Sequence, residues 1–209
     1  MKKIDKIINF MRALEEVCVV KRDLLLFDGS EENDAMHIFK LSFLTMMIAP
    51  YLKTPINYTK MLELALVHDL AEGKTGDYTA ANQQAHPEIK QEKLKKEAIA
   101  IKELKAQLPA PLNKKIYALY QEYEAKKSIE AKIISALDKL EANLQANQYK
   151  DGDVRYWKLC ENGAEYYKIA MQKKPLIAEI DEPILTELEN AIINLSLTNM
   201  KKCGIKKPK

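Results

Sequence analysis

Apolar residues recur at steps of three and four over most of the chain, and this spacing is the period of amphipathic helices. The pattern predicts helices over residues 2–20, 33–50, 57–73, 87–108, 116–123, 129–148, 157–169 and 183–200. No stretch alternates apolar and polar residues in the way that a half-buried strand does. With six glycines in 209 residues, the sequence therefore predicts an all-α fold.

The chain is expected to form one domain over residues 1–200, followed by a basic tail over 201–209. A length of 209 residues allows one core that buries roughly 70% of the unfolded surface. We expect the part that carries the chemistry over about 20–150 and closing helices over about 153–200. The first helix should face the core with an apolar stripe formed by Ile4, Ile7, Ile8, Met11, Leu14 and Cys18.

One stretch, residues 67–77 with the sequence VHDLAEGKTGD, breaks the ordinary helix pattern. It follows a run that is apolar on almost every side, so the end of that helix should be buried. An imidazole and a carboxylate are costly to bury there unless something pairs with them, and a bound cation would do so. Glu72 lies four residues after His68, on the same helical face, and Gly73 is a natural helix end.

His68-Asp69 followed by Glu72 and by Gly76-Asp77 resembles the signature of the HD-domain metal-dependent phosphohydrolases. That signature also contains a lone upstream histidine and a distant aspartate, for which His37 and Asp138 are the candidates. Residues 28–37, with the sequence DGSEENDAMH, resemble the extended motif of the 5'-deoxynucleotidase-like branch. The resemblance spans roughly the first two-thirds of the chain and implies a single-domain HD-type helical bundle.

Without the rest of the pattern, a core or surface histidine is a better explanation of His37 than a metal ligand, and an edge salt bridge is a better explanation of Asp138. Asp138 lies at the margin of the apolar face of its predicted helix, so its carboxylate should point inward. Beside His68 and Asp69, metal ligation becomes the better account of both. The resemblance thus implies a metal site formed by His37, His68, Asp69 and Asp138.

The resemblance also implies roles around the metal. Glu72 would orient or deprotonate the attacking water or protonate the leaving alkoxide, and Asp77 would contact substrate or support the site. Arg22, just after the first predicted helix, is a candidate phosphate ligand, although an exposed arginine would look the same. Lys74 is a weaker candidate of the same kind. Met36 stands where many relatives have glutamate, so an expected partner of the His37 imidazole is missing.

Two imidazoles and two carboxylates form a mixed nitrogen and oxygen ligand set, which suits one divalent transition metal ion such as Mn, Co, Fe, Ni or Zn. Four protein ligands leave coordination positions for water and a substrate oxygen. The three cysteines are far apart and form no Cys-x-x-Cys pair, so a thiolate zinc site or a disulfide framework is not expected.

The ligand set predicts a metal-dependent phosphohydrolase that acts by attack of a metal-bound water on phosphorus, and the resemblance alone implies nucleoside 5'-monophosphates as its substrates. The alternatives are a phosphodiesterase of the same superfamily and a non-catalytic module that binds metal or nucleotide. A net charge of +3 fits a small phosphate ester better than nucleic acid as the partner. No signal peptide or membrane span is predicted, so a cytoplasmic location is expected, and a homodimer is possible.

Overall fold

The computed structural model describes residues 2–78, 87–148, 175–202 and 204. The helix predicted over 157–169 lies outside these residues, as does most of the basic tail. The described helices are α1 (Lys3–Val19), α2 (Asp34–Ile48), α3 (Tyr58–Val67), α4 (Glu72–Thr75), α5 (Pro87–Gln107), α6 (Leu112–Ala125), α7 (Ile129–Ala146), α8 (Pro175–Ala178) and α9 (Pro183–Lys202). The predicted all-α class is confirmed. Within the described ranges, no helix is both long enough and apolar enough to cross a membrane.

Three of the predicted helix starts coincide with side-chain caps. Asn33 accepts a hydrogen bond from the backbone N–H of Met36 at 2.9 Å, and Asn57 accepts one from Lys60 at 3.0 Å. Ser128 accepts one from Ala131 at 3.2 Å. Each contact satisfies a backbone donor that the first turn of a helix leaves free, so these polar residues fix where α2, α3 and α7 begin.

Helices α2, α3 and α7 pack against one another and form the centre of the domain. Their inward positions are fully buried and include Leu41, Met61, Leu64, Ile133 and Leu137. Helix α6 covers α3 and α7, α9 covers α7, and α1, α4 and α5 pack together at another side. Because the inward faces are apolar, burial of these side chains supplies the main stabilisation, at roughly 25 cal/mol for each Å² removed from water.

A short hairpin between α1 and α2 was not predicted. Strands β1 (Lys21–Leu25) and β2 (Glu31–Asn33) pair antiparallel, with Lys21 opposite Asn33 and Leu25 opposite Glu31. The turn contains Gly29 at φ 90°, and the Asp28 carboxylate accepts hydrogen bonds from the Ser30 backbone N–H and hydroxyl. The strands are too short and irregular to show an alternating pattern, and Arg22 therefore lies on a strand rather than at a helix end.

The prediction that this apolar stripe of α1 faces the core is wrong. Ile4, Ile8 and Met11 are each at least half exposed, and Cys18 is exposed as well. The helix instead buries Phe10 and Val17, with Leu14 and Ala13 partly buried against the core. Both faces of α1 are apolar, so periodicity alone does not determine which one packs inward.

The prediction that Gly73 ends the third helix is also wrong. Helix α3 ends at Val67, His68 caps it, and after one turn the chain enters the short helix α4, which contains Gly73. The chain leaves α4 at Gly76, whose φ of 76° favours glycine. Gly73 instead allows close packing of α1: a Cβ there would lie 2.9 Å from Val17 Cγ2 and 3.1 Å from Val17 N.

Replacement of Gly73 by alanine should destabilise the fold by about 1–2 kcal/mol, because overpacking against α1 outweighs a helix-propensity gain of at most about 1 kcal/mol. Urea denaturation of the wild type and of Gly73→Ala measures the difference. The loss caused by Gly73→Ala should be smaller when both proteins carry Val17→Ala, since that change removes the nearer of the two contacts. An equal or higher stability of Gly73→Ala would show that α1 and α4 are not packed this closely.

Candidate metal centre

The four predicted metal ligands converge at one end of the α2–α3–α7 packing. His37 lies in the first turn of α2, His68 and Asp69 directly follow α3, and Asp138 lies near the middle of α7. One ligand atom from each of His37, His68 and Asp69 lies within 4.8 Å of the others. Asp138 Oδ1 is 3.1 Å from His37 Nε2 and 3.9 Å from His68 Nε2. The structure thus brings all four side chains together.

Both imidazoles are oriented through Nδ1. His37 Nδ1 lies 2.5 Å from Glu141 Oε2, and His68 Nδ1 lies 2.9 Å from the carbonyl oxygen of Ala65. Each of these oxygens can only accept, so each Nδ1 donates and the Nε2 atom faces the cluster. His68 Nε2 is buried and lies 2.9 Å from Asp69 Oδ2, but the pair does not have the geometry of a hydrogen bond. This orientation is the one that metal-binding histidines adopt.

Glu141 corrects one expectation. The methionine at position 36 was expected to leave the His37 imidazole without a carboxylate partner, but Glu141 supplies that partner from α7. Met36 itself is 40% exposed. Glu141 lies three residues after Asp138, one helical turn along the same face, and that spacing is the sequence signal that could have identified it.

The carboxylates of Asp138 and Glu141 favour the protonated form of His37. Burial alone would lower the pKa of His37, but hydrogen bonds to Asp138 and Glu141 outweigh burial and raise it to about 10. Burial would raise the pKa of Asp138, yet the His37 hydrogen bond and the charge of His68 hold it well below its usual range. In the metal-free protein, protonated imidazole therefore supplies the positive charge that these acids require.

A group of three acidic residues lies beside the four candidate metal ligands and shares Asp69 with them. One carboxylate oxygen from each of Asp34, Asp69 and Glu72 lies within 4.8 Å of the others. Burial, then the charge of Asp69, raises the pKa of Glu72 to about 10, although Lys93 lowers it. Lys93 Nζ lies 2.7 Å from Glu72 Oε1, while Oε2 is buried without a hydrogen-bond partner in the described part of the chain.

Asp34 was predicted only as a possible helix cap, and it lies in the site instead. It is fully buried at the first position of α2, where its Oδ1 is 3.4 Å from Arg22 Nη1. Burial and the charge of Asp69 raise its pKa to about 7, against the opposite effect of Arg22. A capping residue and a site residue look alike in sequence, since Asn33 and Asp34 are both good caps.

Of the other predicted site residues, Arg22 and Asp77 lie at the metal centre and Lys74 does not. Arg22 lies at the centre, with Nη1 3.7 Å from Asp69 Oδ2, and Asp77 is close enough to interact electrostatically with Arg22 and Asp69. Lys74 lies apart from them, with Nζ 3.2 Å from Glu16 Oε2 on α1. Its predicted phosphate contact stays a prediction.

The donor set fits a divalent cation. Two Nε2 atoms and the carboxylates of Asp69 and Asp138 offer the mixed nitrogen and oxygen ligands of a first-row transition metal. His68 Nε2 and Asp69 Oδ2 lie 2.9 Å apart without the geometry of a hydrogen bond, and a metal ion bound by both atoms would satisfy them.

Comparison with known proteins agrees with this geometry. The family model described as HD domain matches residues 14–172, which include all four candidate ligands. The chain belongs to the HD domain family. The His37, His68 and Asp69 cluster is able to hold a divalent metal.

Several relatives of the chain carry the name 5'-deoxynucleotidase HDDC2, among them a human and a Xenopus laevis protein. The human protein is 31% identical over 147 residues, which cover 69% of each chain. The Xenopus laevis protein is 28% identical over 197 residues, which cover 92% of each chain. A solved structure described as a predicted metal-dependent phosphohydrolase from Magnetospirillum magnetotacticum MS-1 superposes with a TM-score of 0.76 at 24% identity and covers 99% of each chain. This HD domain chain therefore has the same fold as that structure.

Metal binding at pH 7 should release about one to two protons, because ligating imidazoles are neutral whereas His37 has a pKa of about 10 without metal. Affinity should accordingly rise with pH over the range in which His37 and His68 carry protons. Calorimetric titration of metal-free protein with Mn²⁺, in two buffers of different ionisation enthalpy, counts the released protons. Binding heats that do not depend on the buffer would contradict the protonated state of these imidazoles.

Proposed function

We propose that this protein is a metal-dependent phosphohydrolase that cleaves nucleoside 5'-monophosphates to nucleosides and inorganic phosphate. The observation that supports it most directly is the buried cluster of two Nε2 atoms and Asp69 within 4.8 Å, adjoined by Asp138 and by Glu72. The family and the relatives named 5'-deoxynucleotidase support the reaction and the nucleotide class.

His37, His68, Asp69 and Asp138 would hold one divalent ion, with Mn, Co, Fe, Ni and Zn as the candidates. When bound, the ion supplies Lewis acidity and neutralises charge on a phosphoryl oxygen. Tyr123 donates a hydrogen bond from its hydroxyl to Asp138 Oδ2 at 3.2 Å, which leaves Oδ1 directed at the histidines. Tyr123 of α6 therefore holds Asp138 Oδ2 in place.

Glu72 is proposed to move the proton in the reaction. A water oxygen forms the new bond to phosphorus, the bond from phosphorus to the ester oxygen breaks, and the proton lost by the water ends on that oxygen. Glu72 Oε2 is buried without a hydrogen-bond partner in the described chain, while Oε1 accepts a hydrogen bond from Lys93. One fixed and one free oxygen suit a carboxyl group that accepts a proton and then donates it.

Arg22 is proposed to bind the phosphate, with Asp77 near the same end of the substrate. The Arg22 side chain is 12% exposed and lies 3.2 Å from Glu32 and 3.4 Å from Asp34 at its nearest atoms. Those carboxylates fix the guanidinium in one orientation, and a pre-oriented guanidinium loses little entropy when it binds a phosphate. Asp77 interacts electrostatically with Arg22, so it also affects the guanidinium.

Metal-stripped protein should release phosphate from ribo- or deoxyribonucleoside 5'-monophosphates when Mn, Co, Ni, Zn or Mg is added back. Asp69→Ala should abolish the release because it removes a proposed ligand. Glu72→Gln should lower kcat by about 100-fold to 10,000-fold while leaving metal affinity near wild type, since it removes a proton carrier rather than a ligand. Phosphate release and metal titration measure the two effects separately.

If no added metal restores release from any monophosphate although the protein binds metal stoichiometrically, the monoesterase proposal fails. A diester substrate or a non-catalytic binding role would then take its place. The expected cytoplasmic location and the expected absence of a nucleic-acid partner stay predictions from the sequence.

We also propose that the protein is a homodimer that pairs through α2. All the exposed positions of α2 are apolar, namely Met36, Phe39, Phe43, Met46 and Met47. Their exposed fractions of 40–63% correspond to an apolar patch of about 500 Å², taking about 200 Å² for each large side chain. Pairing of two such patches would bury about 1,000 Å², near the lower limit for stable interfaces, and the exposed stripe of the neighbouring α1 adds to it.

Phe43→Glu should shift the protein from dimer to monomer, because it places a charge in the centre of this patch. Size-exclusion chromatography with light scattering over a range of concentrations measures the change. Ile99→Glu is the matched control, since Ile99 is exposed to a similar degree on α5. A wild-type protein that is monomeric at the highest concentration would refute the dimer.

A further inference from the structure

Lys40 on α2 lies at the centre of a buried polar network beside the metal centre. Its ammonium group contacts the Glu32 carboxylate, lies 3.1 Å from Glu141 Oε1 and donates a hydrogen bond to Gln145 Oε1 at 2.6 Å. An ammonium group has three N–H donors, and here three acceptors surround it. Gln145 Nε2 in turn donates to the Leu25 carbonyl of β1 at 2.6 Å, which fixes the third acceptor.

Each of the two carboxylates bound by Lys40 uses its other oxygen to orient a residue of the site. Glu141 Oε2 lies 2.5 Å from His37 Nδ1. Glu32 Oε2 lies 3.2 Å from Arg22 Nε. Both carboxylates are almost completely buried, so neither has water as an alternative partner.

The network closes at the metal centre itself. Asp69 Oδ2 lies 3.7 Å from Arg22 Nη1 and 3.8 Å from His37 Nε2. The order around the ring is therefore Asp69, Arg22, Glu32, Lys40, Glu141 and His37, with acidic and basic groups in strict alternation. Every neighbour in such a ring is of opposite charge, and displacement of one member changes the position preferred by the next.

Removal of Lys40 would leave Glu32 and Glu141 buried and without the cation that lies between them. Two unscreened carboxylates in a low-dielectric environment repel each other, and each would move toward its remaining partner or toward solvent. The His37 imidazole and the Arg22 guanidinium would then lose their fixed orientations together.

We propose that Lys40 is a positioning residue that couples the metal-binding imidazole of His37 to the phosphate-binding guanidinium of Arg22. The Arg22 half of this inference rests on the proposed function, whereas the His37 half requires only that the protein binds metal. Lys40 touches neither metal nor substrate, and it acts through Glu141 on one side and Glu32 on the other.

The test compares Lys40→Met with Lys60→Met. Lys60 is a matched control because its side chain is 27% exposed, like that of Lys40, and bridges Glu122 and Glu130 at 3.0 and 2.9 Å on α6 and α7. Lys40→Met should weaken Mn²⁺ binding to metal-free protein about tenfold. It should also weaken binding of inorganic phosphate to the Mn²⁺-loaded protein about fivefold. Lys60→Met should change neither.

A double-mutant cycle distinguishes coupling from general loss of structure. Glu32→Gln should weaken Mn²⁺ binding in the wild type, and its effect should differ by about threefold or more in the Lys40→Met background, because coupled sites are not additive. Equal effects of Glu32→Gln in both backgrounds would overturn the coupling. So would wild-type Mn²⁺ affinity in Lys40→Met, or equal losses in the two lysine variants.

These readouts also separate the inference from the proposed function. If no monophosphate is hydrolysed, Mn²⁺ titration still decides whether Lys40 acts on His37. Should Lys40→Met fail to fold, Glu32→Gln alone tests the same link, because it keeps the shape of the side chain and removes its charge. Weaker Mn²⁺ binding by that variant would support the inference, and unchanged binding would overturn it.

Discussion

Both ring nitrogens of His37 contact carboxylates of a single helix, and the arrangement of the site depends on these two contacts. Asp138 meets Nε2 and Glu141 meets Nδ1, from positions one turn apart on α7. The contact joins α2 to α7 through polar atoms, as do the contacts of Lys40 with Glu141 and Gln145, beside apolar packing of the same two helices. Loss of one partner in such a buried pair typically costs about 3–5 kcal/mol, so each of the three side chains requires the others.

Buried charge of this density is a poor way to stabilise a fold, because desolvation offsets most of the attraction between the groups. The apolar packing of α2, α3 and α7 provides the stability that the site requires. A divalent cation bound there would relieve the repulsion among Asp34, Asp69 and Glu72, and a ligand that binds the folded state alone also increases its stability. The site and the fold are therefore linked energetically, although different residues make the two contributions.

The sequence predicted the structure correctly where capping residues or motif residues fall at the ends of apolar helical patterns. The helix starts at Asn57 and Ser128 follow from capping, and the convergence of His37, His68, Asp69 and Asp138 follows from the motif. It was uninformative where two faces of a helix have the same polarity, as in α1. Glu32, Lys40 and Lys93 were missed because charged residues at strand or helix positions usually face solvent. Their burial depends on partners that the sequence does not pair: Lys40 and Glu32 are 8 residues apart, Lys93 and Glu72 are 21 apart, and Lys40 and Gln145 are 105 apart.

Helix α4 has four residues, too few to maintain a helical conformation without tertiary contacts. Its conformation is imposed by neighbours: α1 packs against Gly73, and Lys93 of α5 binds Glu72. The first helix, which contributes no candidate ligand, thus supports the helix that carries Glu72. The smallest autonomous unit with the complete proposed site must begin at α1, since a truncated domain that starts at the hairpin would keep the four candidate ligands and lose the support of the carboxyl group proposed to move the proton.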